Sequence, residues 1–394
     1  MRMLFATTAG AGHFGPMVPV ARALVAAGHQ VRVAAPGSFA DHVAGAGLEH
    51  VPFDDVPPEV MGAVFARIPS MTHEEANATV IREVFGRLDA RAAYPRVQQV
   101  VDEWAPDVIL REPCEFGSLA AAERSGVPHA EVAIGVGRVR VWAGEHLVDP
   151  LLELDEIAGL ASGTCNRGSA RASVLTSVPA SLDGDAGTSS SQATIRYRAG
   201  PVEAREGSLP AAWGDGDQPL VYVTFGSVTG GLDDMSPVFR GSLEALADLP
   251  VRVLLTTGHA GDPEALRPWP DNAHVEQWWP QDEIMPFASA MVGHGGFGTT
   301  MTAVAAGVPQ IVLPLFASDQ EINATRVHEA GAGIRLGGRT RATEHLAEAV
   351  TRVLADPAMR AAARGLADEI ASLPDISEVV DVVEGLAVAR PTLT

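Results

Sequence analysis

Residues 276–323 read EQWWPQDEIMPFASAMVGHGGFGTTMTAVAAGVPQIVLPLFASDQEIN, and this segment gives the clearest indication of an α/β fold. The apolar run at 289–292 predicts a buried strand, and the spacing at 299–306 predicts a helix. A glycine-rich turn at 293–298, with the sequence GHGGFG, joins the two. Such a turn can bind phosphate through the N–H groups at the start of the helix, or it can simply allow tight packing. Both interpretations are open from the residues alone.

A similar unit begins the chain. Residues 2–8 (RMLFATT) predict a strand, 16–27 a helix and 30–35 a second strand, and a turn reading GAGHFG at 10–15 follows the first strand. The turn matches Gly-x-Gly-x-x-Gly, but a dinucleotide site needs an acidic residue at the end of the second strand. That strand ends Val-Ala-Ala-Pro, so the pattern is a weak sign of dinucleotide binding. His13 is then either a general base or a cap of the helix that follows.

The second half of the chain repeats this organisation. Residues 219–225 (PLVYVTF) predict a strand, 237–246 a helix and 251–256 another strand. Between the halves, residues 181–218 are rich in Gly, Ser, Asp and Thr, as a surface loop and linker would be. The alternation of strands and helices predicts an α/β protein with two domains of parallel sheet.

Composition excludes several functions. The 394 residues carry a net charge of −21, and all 28 basic residues are arginines. Without lysine there is no Schiff-base aldolase, pyridoxal-phosphate enzyme, Walker-A hydrolase or protein kinase. The acidic balance argues against nucleic-acid binding, and two cysteines alone make neither a zinc site nor a disulfide framework. No signal peptide or membrane-length apolar run is apparent, so we expect a soluble, cytoplasmic protein with no membrane span.

At residues 276–323, and at Gly10 to Pro16, the sequence resembles nucleotide-sugar-dependent glycosyltransferases of the GT-B fold. Within them it is most similar to the antibiotic-tailoring enzymes that glycosylate macrolides, enediynes and aromatic polyketides. The resemblance rests on a Trp-x-Pro-Gln start, a His-x-Gly-x-x-Thr centre, a Gly-Val-Pro and a closing Asp-Gln, together with the N-terminal Gly-x-Gly-His-x-x-Pro.

This resemblance implies two Rossmann-like domains with parallel sheets facing across a cleft. Residues 1–200 would form the acceptor-binding domain, 201–217 a linker and 218–374 the nucleotide-sugar-binding domain. Residues 375–394 would form a C-terminal helix that packs back on the first domain.

The resemblance also assigns a donor site. Trp278 would stack on the nucleobase, Gln281 would bind the base or ribose, and Asp319 and Gln320 would bind sugar hydroxyls. The nucleotide-sugar-binding set as a whole is Gly226, Ser227, Trp278, Gln281, His294, Gly295, Gly296, Gly298, Thr299, Asp319 and Gln320. Among them, the glycine turns, His294 and Thr299 would hold the diphosphate. Alternatively, Asp319 and Gln320 would form an N-cap pair at the start of a helix.

The catalytic base implied by the resemblance is His13. It would deprotonate an acceptor hydroxyl that displaces the nucleoside diphosphate in one inverting step. No metal and no other cofactor is expected if the helix dipole, His294 and backbone amides carry the charge of the leaving group. An acidic residue would orient the histidine, and Glu112 occupies the matching place after the strand at 106–111, where relatives carry aspartate. Glu115, or no carboxylate at all, are alternatives.

A second departure concerns the donor. Where plant uridine-diphosphate enzymes carry a ribose-binding glutamate, this sequence has Thr302. Deoxyribose lacks the 2′-hydroxyl, so this loss favours a dTDP-deoxysugar as the donor.

For the acceptor we expect contacts from Phe14, Met61, Phe65 and Trp142. The residues of the apolar stripe from Met61 to Met71 could instead belong to the core. Neither the acceptor nor O- against C-glycosylation follows from the sequence, and a homodimer or a helper protein is possible. The alternative functions are a catalytically silent donor-binding helper of another transferase and, with less support, a dinucleotide-dependent oxidoreductase.

Overall fold

The computed structural model describes residues 1–184, 193–200, 207–210, 212–227, 229–231, 235–337 and 343–388. These residues form two compact units. The first contains the described residues of 1–177, 193–200 and 373–388, and the second contains 178–184 and the described residues of 201–372. Residues 178–184 therefore belong to the second unit, although the boundary near 200 places them in the first. The guanidinium of Arg326 holds this segment by donating to the carbonyl of Leu182 at 2.8 Å.

The described part of the first unit contains a seven-stranded parallel sheet. Its strands run in the order β3-β2-β1-β4-β5-β6-β7. Their bounds are β1 Arg2–Ala6, β2 Gln30–Pro36, β3 Glu49–Phe53, β4 Val108–Arg111, β5 His129–Val132, β6 Ser173–Thr176 and β7 Thr194–Arg196. Its helices are α1 Ala11–Phe14, α2 Met17–Ala26, α3 Ala40–Gly45, α4 Pro58–Phe65, α5 His73–Thr79, α6 Ala90–Trp104, α7 Gly117–Ser125, α8 Gly137–Glu145, α9 Val148–Ala158, α10 Thr164–Arg171 and α18 Ser377–Val388, with a π-helix over Val80–Asp89.

The described part of the second unit contains a six-stranded parallel sheet in the order β10-β9-β8-β11-β12-β13. Its strands are β8 Leu220–Thr224, β9 Arg252–Thr256, β10 Ala273–Glu276, β11 Ala288–Gly293, β12 Gln310–Val312 and β13 Gly333–Arg335. Its helices are α11 Ala180–Asp183, α12 Ser236–Leu246, α13 Gln281–Ile284, α14 Phe297–Ala305, α15 Ser318–Glu329, α16 Leu346–Ala355 and α17 Pro357–Ser372.

Both faces of each sheet are covered by apolar side chains. In β1, Met3 and Phe5 belong to one buried cluster while Leu4 and Ala6 belong to another. The strand is apolar throughout because alternate residues point into two different cores, as parallel strands between helical layers require. Strand β8 is buried in the same way along its whole length.

The last described helix, α18, completes the first unit. Val379, Val380 and Val383 are buried in the same cluster as Met17 and Val20 of α2. The segment before α18 is held by Arg198, whose backbone N–H donates to the carbonyl of Pro374 at 2.8 Å. Among the residues that the structure describes, no helix is long and apolar enough to cross a membrane.

Both sheets share one topology that fixes where a ligand can bind. In the strand order 3-2-1-4-5-6, successive connections run toward one edge of the sheet up to strand 3 and toward the other edge from strand 4. Ligands bind outside the carboxyl ends of strands 1 and 4, where the order reverses. In the first unit this position belongs to the loops after β1 and β4, and in the second to the loops after β8 and β11. The two glycine turns that the sequence singled out therefore lie at equivalent places in the two units.

Candidate functional site

In the first unit, the loops after β1 and β4 bring a histidine and a glutamate together. His13 lies in the short helix α1, and Glu112 directly follows β4. The Nδ1 atom of His13 is 3.3 Å from Oε1 of Glu112 and 3.1 Å from the hydroxyl of Thr8. The His13 side chain is 23% exposed, whereas that of Glu112 is fully buried. The imidazole is therefore within reach of a ligand while its carboxylate partner is shielded from water.

The buried carboxylate of Glu112 is held by donors from two loops. Oε1 accepts hydrogen bonds from the Thr8 N–H at 3.2 Å and the Thr8 hydroxyl at 3.0 Å, and Oε2 accepts one from the Cys114 N–H at 2.6 Å. Burial acts to raise the pKa of Glu112, but the charge and hydrogen bond of His13 and the two N–H donors outweigh it. The net effect lowers the pKa below its ordinary value, so the carboxylate stays ionised.

The two candidate carboxylates, Glu112 and Glu115, have different partners. Both oxygens of Glu115 accept from the Ser118 N–H, at 3.1 and 3.0 Å, so this side chain caps the first turn of α7. Burial raises the pKa of Glu115 to about 6. Of the two, Glu112 is the one that the structure places against His13.

Several neighbours of this pair carried no clear signal in the sequence. Thr8 and Cys114 belong to the same two loops, and their positions follow only once β1 and β4 are known to be adjacent. Phe85, in the π-helix, lies with its ring centroid 5.3 Å from that of His13. At the end of that helix is Asp89, and burial together with the negative charge of Glu112 raises its pKa to about 7. π-Helical turns are common at functional sites but have no simple sequence pattern.

The predicted acceptor residues are not all available to a ligand. Phe14, predicted as an acceptor contact, is only 5% exposed and packs edge-on against Phe39, so the structure places its ring in the core of the first unit and not at the surface. It follows His13 in α1, and this short helix directs the two adjacent side chains differently.

The other three predicted acceptor residues lie near the surface of the first unit. Helix α4, which carries Met61 and Phe65, has no buried residue, and Phe65 is 47% exposed. Met61 is partly exposed, which excludes the alternative that these two belong to the core. Trp142 is partly exposed on α8 and contacts His146 edge-on.

In the second unit, the glycine turns after β8 and β11 enclose His294. A Cβ atom on Gly226 would lie 2.8 Å from Cε1 of His294, and one on Gly296 would lie 2.4 Å from Nε2. Any side chain at either position would collide with the imidazole, so glycine is required on both sides. Gly295, which lies between His294 and Gly296 in the chain, has a φ of 89° and adjoins the backbone of Gln320. The structure thus brings Gly226, His294, Gly295, Gly296 and Gln320 together.

His294 itself is in an unusual environment. Its ring stacks on Phe316 with centroids 6.5 Å apart. Its Nδ1 atom is buried and has no hydrogen-bond partner among the described residues. Burial lowers the pKa of His294 to about 4, so at neutral pH the imidazole is uncharged. A neutral imidazole can still donate one hydrogen bond to a ligand oxygen.

The adjacent residues Trp278 and Trp279 lie in different surroundings. Trp279 is partly buried, and its indole N–H donates to the carbonyl of Ser208 at 3.2 Å, which makes it a packing residue. Trp278 is 51% exposed and stacks on His259, with centroids 5.4 Å apart and planes 20° apart. About half of the Trp278 side chain is therefore open to solvent.

Gln281 and Thr299 are neighbours. The side-chain amide of Gln281 donates to the Thr299 hydroxyl at 3.2 Å, which links α13 to the first turn of α14. Thr299 itself is buried, while Gly298 beside it is exposed, as is Ser227 after β8. At the start of α14 the first N–H groups have no partner within the helix and offer donors to an anion.

Asp319 and Gln320 do not form an N-cap pair, because α15 begins at Ser318 with Ala317 as its N-cap. Both lie in the first turn. The Gln320 Oε1 accepts from the N–H groups of Leu315 and Phe316, at 2.9 and 3.1 Å. The predicted bond from Gln320 to a sugar would therefore come from its NH₂ group.

The two regions have complementary chemistry. The first holds a histidine against an ionised carboxylate, an arrangement that accepts a proton from a bound hydroxyl. The second offers helix N–H groups, backbone at glycine and an uncharged histidine, an arrangement that binds an anion without a basic side chain.

The low pKa of His294 makes stability depend on pH. The unfolded state takes up a proton near its ordinary pKa of 6.5, whereas the folded state does so only near 4. The contribution of neutral His294 to the free energy of unfolding is therefore full above pH 6.5. It decreases by up to about 3 kcal/mol as the pH falls toward 4. We expect His294→Gln to flatten the dependence of the unfolding free energy on pH over this range, measured by urea denaturation.

The matched control is His345→Gln, because the His345 side chain in the same unit is 72% exposed. In this variant the unfolding free energy should depend on pH as it does in the original protein. An unchanged slope in His294→Gln would contradict the interpretation of His294 as a buried neutral histidine.

Comparison with known proteins identifies the family of this chain. The N-terminal domain model of the erythromycin biosynthesis protein CIII-like family matches residues 22–193, and its C-terminal domain model matches residues 240–386. An L-demethylnoviosyl transferase from Streptomyces niveus is 32% identical over 100% of both chains. A TDP-daunosamine transferase from Streptomyces peucetius is 28% identical over 98% of this chain and 97% of its own.

A solved structure gives the same result at the level of the fold. The glycosyltransferase SnogD from Streptomyces nogalater superposes with a TM-score of 0.76 at 26% identity, covering 98% of this chain and 99% of its own. Sequence and fold together establish that this chain belongs to the erythromycin biosynthesis protein CIII-like family and is a GT-B glycosyltransferase of the antibiotic-tailoring type.

Proposed function

We propose that the protein transfers a deoxysugar from a dTDP-sugar to a hydroxyl of a secondary-metabolite aglycone, with inversion at the anomeric carbon. The observation that carries the proposal is the contact between His13 Nδ1 and the buried Glu112 carboxylate. A carboxylate at this nitrogen favours the tautomer that carries its proton on Nδ1, and it stabilises the imidazolium that forms when the ring accepts a second proton. The lone pair of Nε2 is then the base.

The reaction is a single displacement. The acceptor O–H gives its proton to Nε2 of His13, and the oxygen forms a bond to the anomeric carbon as the bond from that carbon to the diphosphate oxygen breaks. The electron pair of the broken bond leaves with dTDP. One displacement inverts the configuration, so an α-linked donor gives a β-linked product.

The second unit supplies the donor site. The N-terminal N–H groups of α14 and the uncharged His294 stabilise the negative charge that grows on the leaving diphosphate. Since these groups are dipoles in fixed positions, the proposal requires no metal for catalysis. Trp278 stacks on the base, and Asp319 and Gln320 bind the sugar hydroxyls.

The preference for a dTDP donor rests on two observations. Thr302 stands where a ribose-binding glutamate would be, and its hydroxyl donates to the carbonyl of Gly298 at 2.9 Å. A relative that matches along 98% of this chain is a TDP-daunosamine transferase. Both favour a thymidine nucleotide over a uridine nucleotide.

Replacement of the base gives the first test. His13→Ala should lower the rate of sugar transfer by a factor of about 10²–10⁴, the usual contribution of a general base, while dTDP binding stays unchanged. Glu112→Gln should also lower the rate strongly, because an amide NH₂ at this place can donate to Nδ1, which favours the wrong tautomer, and a neutral side chain does not stabilise the imidazolium. Transfer is measured by product formation under saturating donor, and binding by calorimetry.

The matched control for this test is His73→Ala, since His73 is an exposed histidine of the same unit. It should leave both quantities unchanged. Near-full turnover in His13→Ala would refute the assignment of the base. A wild-type protein that binds dTDP but transfers no sugar would instead indicate a donor-binding helper.

Donor binding gives the second test. Calorimetric titration with dTDP, UDP and NAD, without metal, should show tight binding of dTDP, weaker binding of UDP and none of NAD. Trp278→Ala should weaken dTDP binding about tenfold, because stacking on a base contributes ~1–3 kcal/mol.

Phe287→Ala is the control for Trp278→Ala, since Phe287 is another exposed aromatic residue of the second unit, and it should bind dTDP normally. A preference for UDP would remove the dTDP assignment and keep the transferase. Binding of NAD alone would contradict the whole proposal.

A further inference from the structure

The loop that follows β4 adds a thiol to the histidine and the carboxylate described above. Cys114 lies two residues after Glu112 and is partly exposed. One ligand atom each from His13, Glu112 and Cys114 lies within 4.8 Å of the other two. These are a nitrogen, a carboxylate oxygen and a sulfur atom, brought together from the loops after β1 and β4.

This set of donor atoms has a definite metal preference. Imidazole nitrogen and thiolate sulfur suit Zn²⁺, whereas Mg²⁺ and Ca²⁺ take oxygen ligands almost exclusively. Zn²⁺ is commonly bound by three protein ligands with water in a fourth position. The fourth position can be reached here, because His13 and Cys114 are both partly exposed while Glu112 closes the site from the interior.

The surrounding charges favour a cation. Glu112, Glu115 and Asp55 all act electrostatically on Asp89, so four carboxylates share this region. The nearby guanidinium of Arg111 is already paired, at 3.2 Å, with the buried carboxylate of Glu131. The second cysteine does not compete for the metal: Cys165 is fully buried in α10, and burial raises the pKa of its thiol, which keeps it protonated.

We propose that His13, Glu112 and Cys114 form a site for one Zn²⁺ ion, and that zinc bound there inhibits sugar transfer. Binding releases the thiol proton, and the Nδ1 proton of His13 if that nitrogen is the ligand, to solvent, with no change in oxidation state. The metal then occupies the place of the hydrogen bond from His13 to Glu112 and withdraws electron density from the imidazole. The site itself does not depend on the proposed function, but the inhibition does.

Metal binding is tested without any sugar substrate. The full-length protein is freed of metal with EDTA, dialysed, and titrated with Zn²⁺ against a zinc-sensitive indicator. We expect one ion per chain. Titration with Co²⁺ should give the near-ultraviolet absorption of a thiolate-to-cobalt charge transfer.

The decisive variant is Cys114→Ser, which keeps the backbone N–H that binds Glu112 and the approximate size of the side chain. It should bind Zn²⁺ more than about tenfold more weakly, since changes outside the ligand shell already cost that much, and should lose the charge-transfer band. Cys165→Ala is the control and should retain both. Equal zinc affinity in Cys114→Ser and the original protein would overturn the site.

Inhibition is tested separately, with each protein compared with its own rate in EDTA. Zn²⁺ at one equivalent should suppress transfer in the original protein and in Cys165→Ala, but not in Cys114→Ser. Transfer that is lost in EDTA and restored by zinc would overturn the inhibitory role. If no transfer occurs under any condition, the proposed function fails, and the binding titration still decides the metal site.

Discussion

The arrangement of the first unit depends on one buried negative charge, the carboxylate of Glu112. A carboxylate without water is stable only if hydrogen bonds and an opposite charge replace its hydration. Its partners come from the Thr8 N–H and hydroxyl, the Cys114 N–H and the imidazole of His13. Thr8 and His13 lie beyond β1 and Cys114 lies beyond β4, so this cluster exists because the sheet order makes those two strands neighbours.

The second unit has the same strand order, but different polar groups lie at the ends of its central strands. Where the first unit places a carboxylate, the second places helix N–H groups, glycines and an uncharged histidine at the ends of β8 and β11. The glycines at 226 and 296 are fixed by the volume of the His294 ring. One topology thus carries two different sets of polar groups at equivalent positions, and the loop residues decide which set is present. Backbone N–H groups of this kind are able to bind an anion without a lysine side chain.

Much of this was predictable from the sequence, because parallel strands buried on both faces are continuous apolar runs. The strands predicted at 30–35 and 251–256 are observed at Gln30–Pro36 and Arg252–Thr256, and the turn at 293–298 does precede a helix. The family resemblance implied that Glu112 would orient His13, with Glu115, or no carboxylate at all, as alternatives. The choice depends on Glu115 turning toward the N–H of Ser118.

Other features of the structure depend on contacts that sequence patterns do not show. Phe14 follows His13, and only the geometry of α1 turns it into the core. Residues 178–184 join the second unit through the long-range contact with Arg326. Met61 and Phe65 have helical spacing, but spacing does not say whether the apolar face of α4 is covered. Thr8 and Cys114 are ordinary loop residues until the β1–β4 pairing places them beside one carboxylate.

The proposed reaction requires that the contact with Glu112 keeps the proton of His13 on Nδ1, which leaves the lone pair of Nε2 to act as the base. Nitrogen NMR of protein labelled at its histidines reports this directly, with the His13 signals assigned by their loss in His13→Ala. At a pH where the His13 ring is neutral, we expect Nδ1 to carry the proton and Nε2 to carry none. A His13 ring protonated on Nε2, with Nδ1 bare, would contradict this expectation.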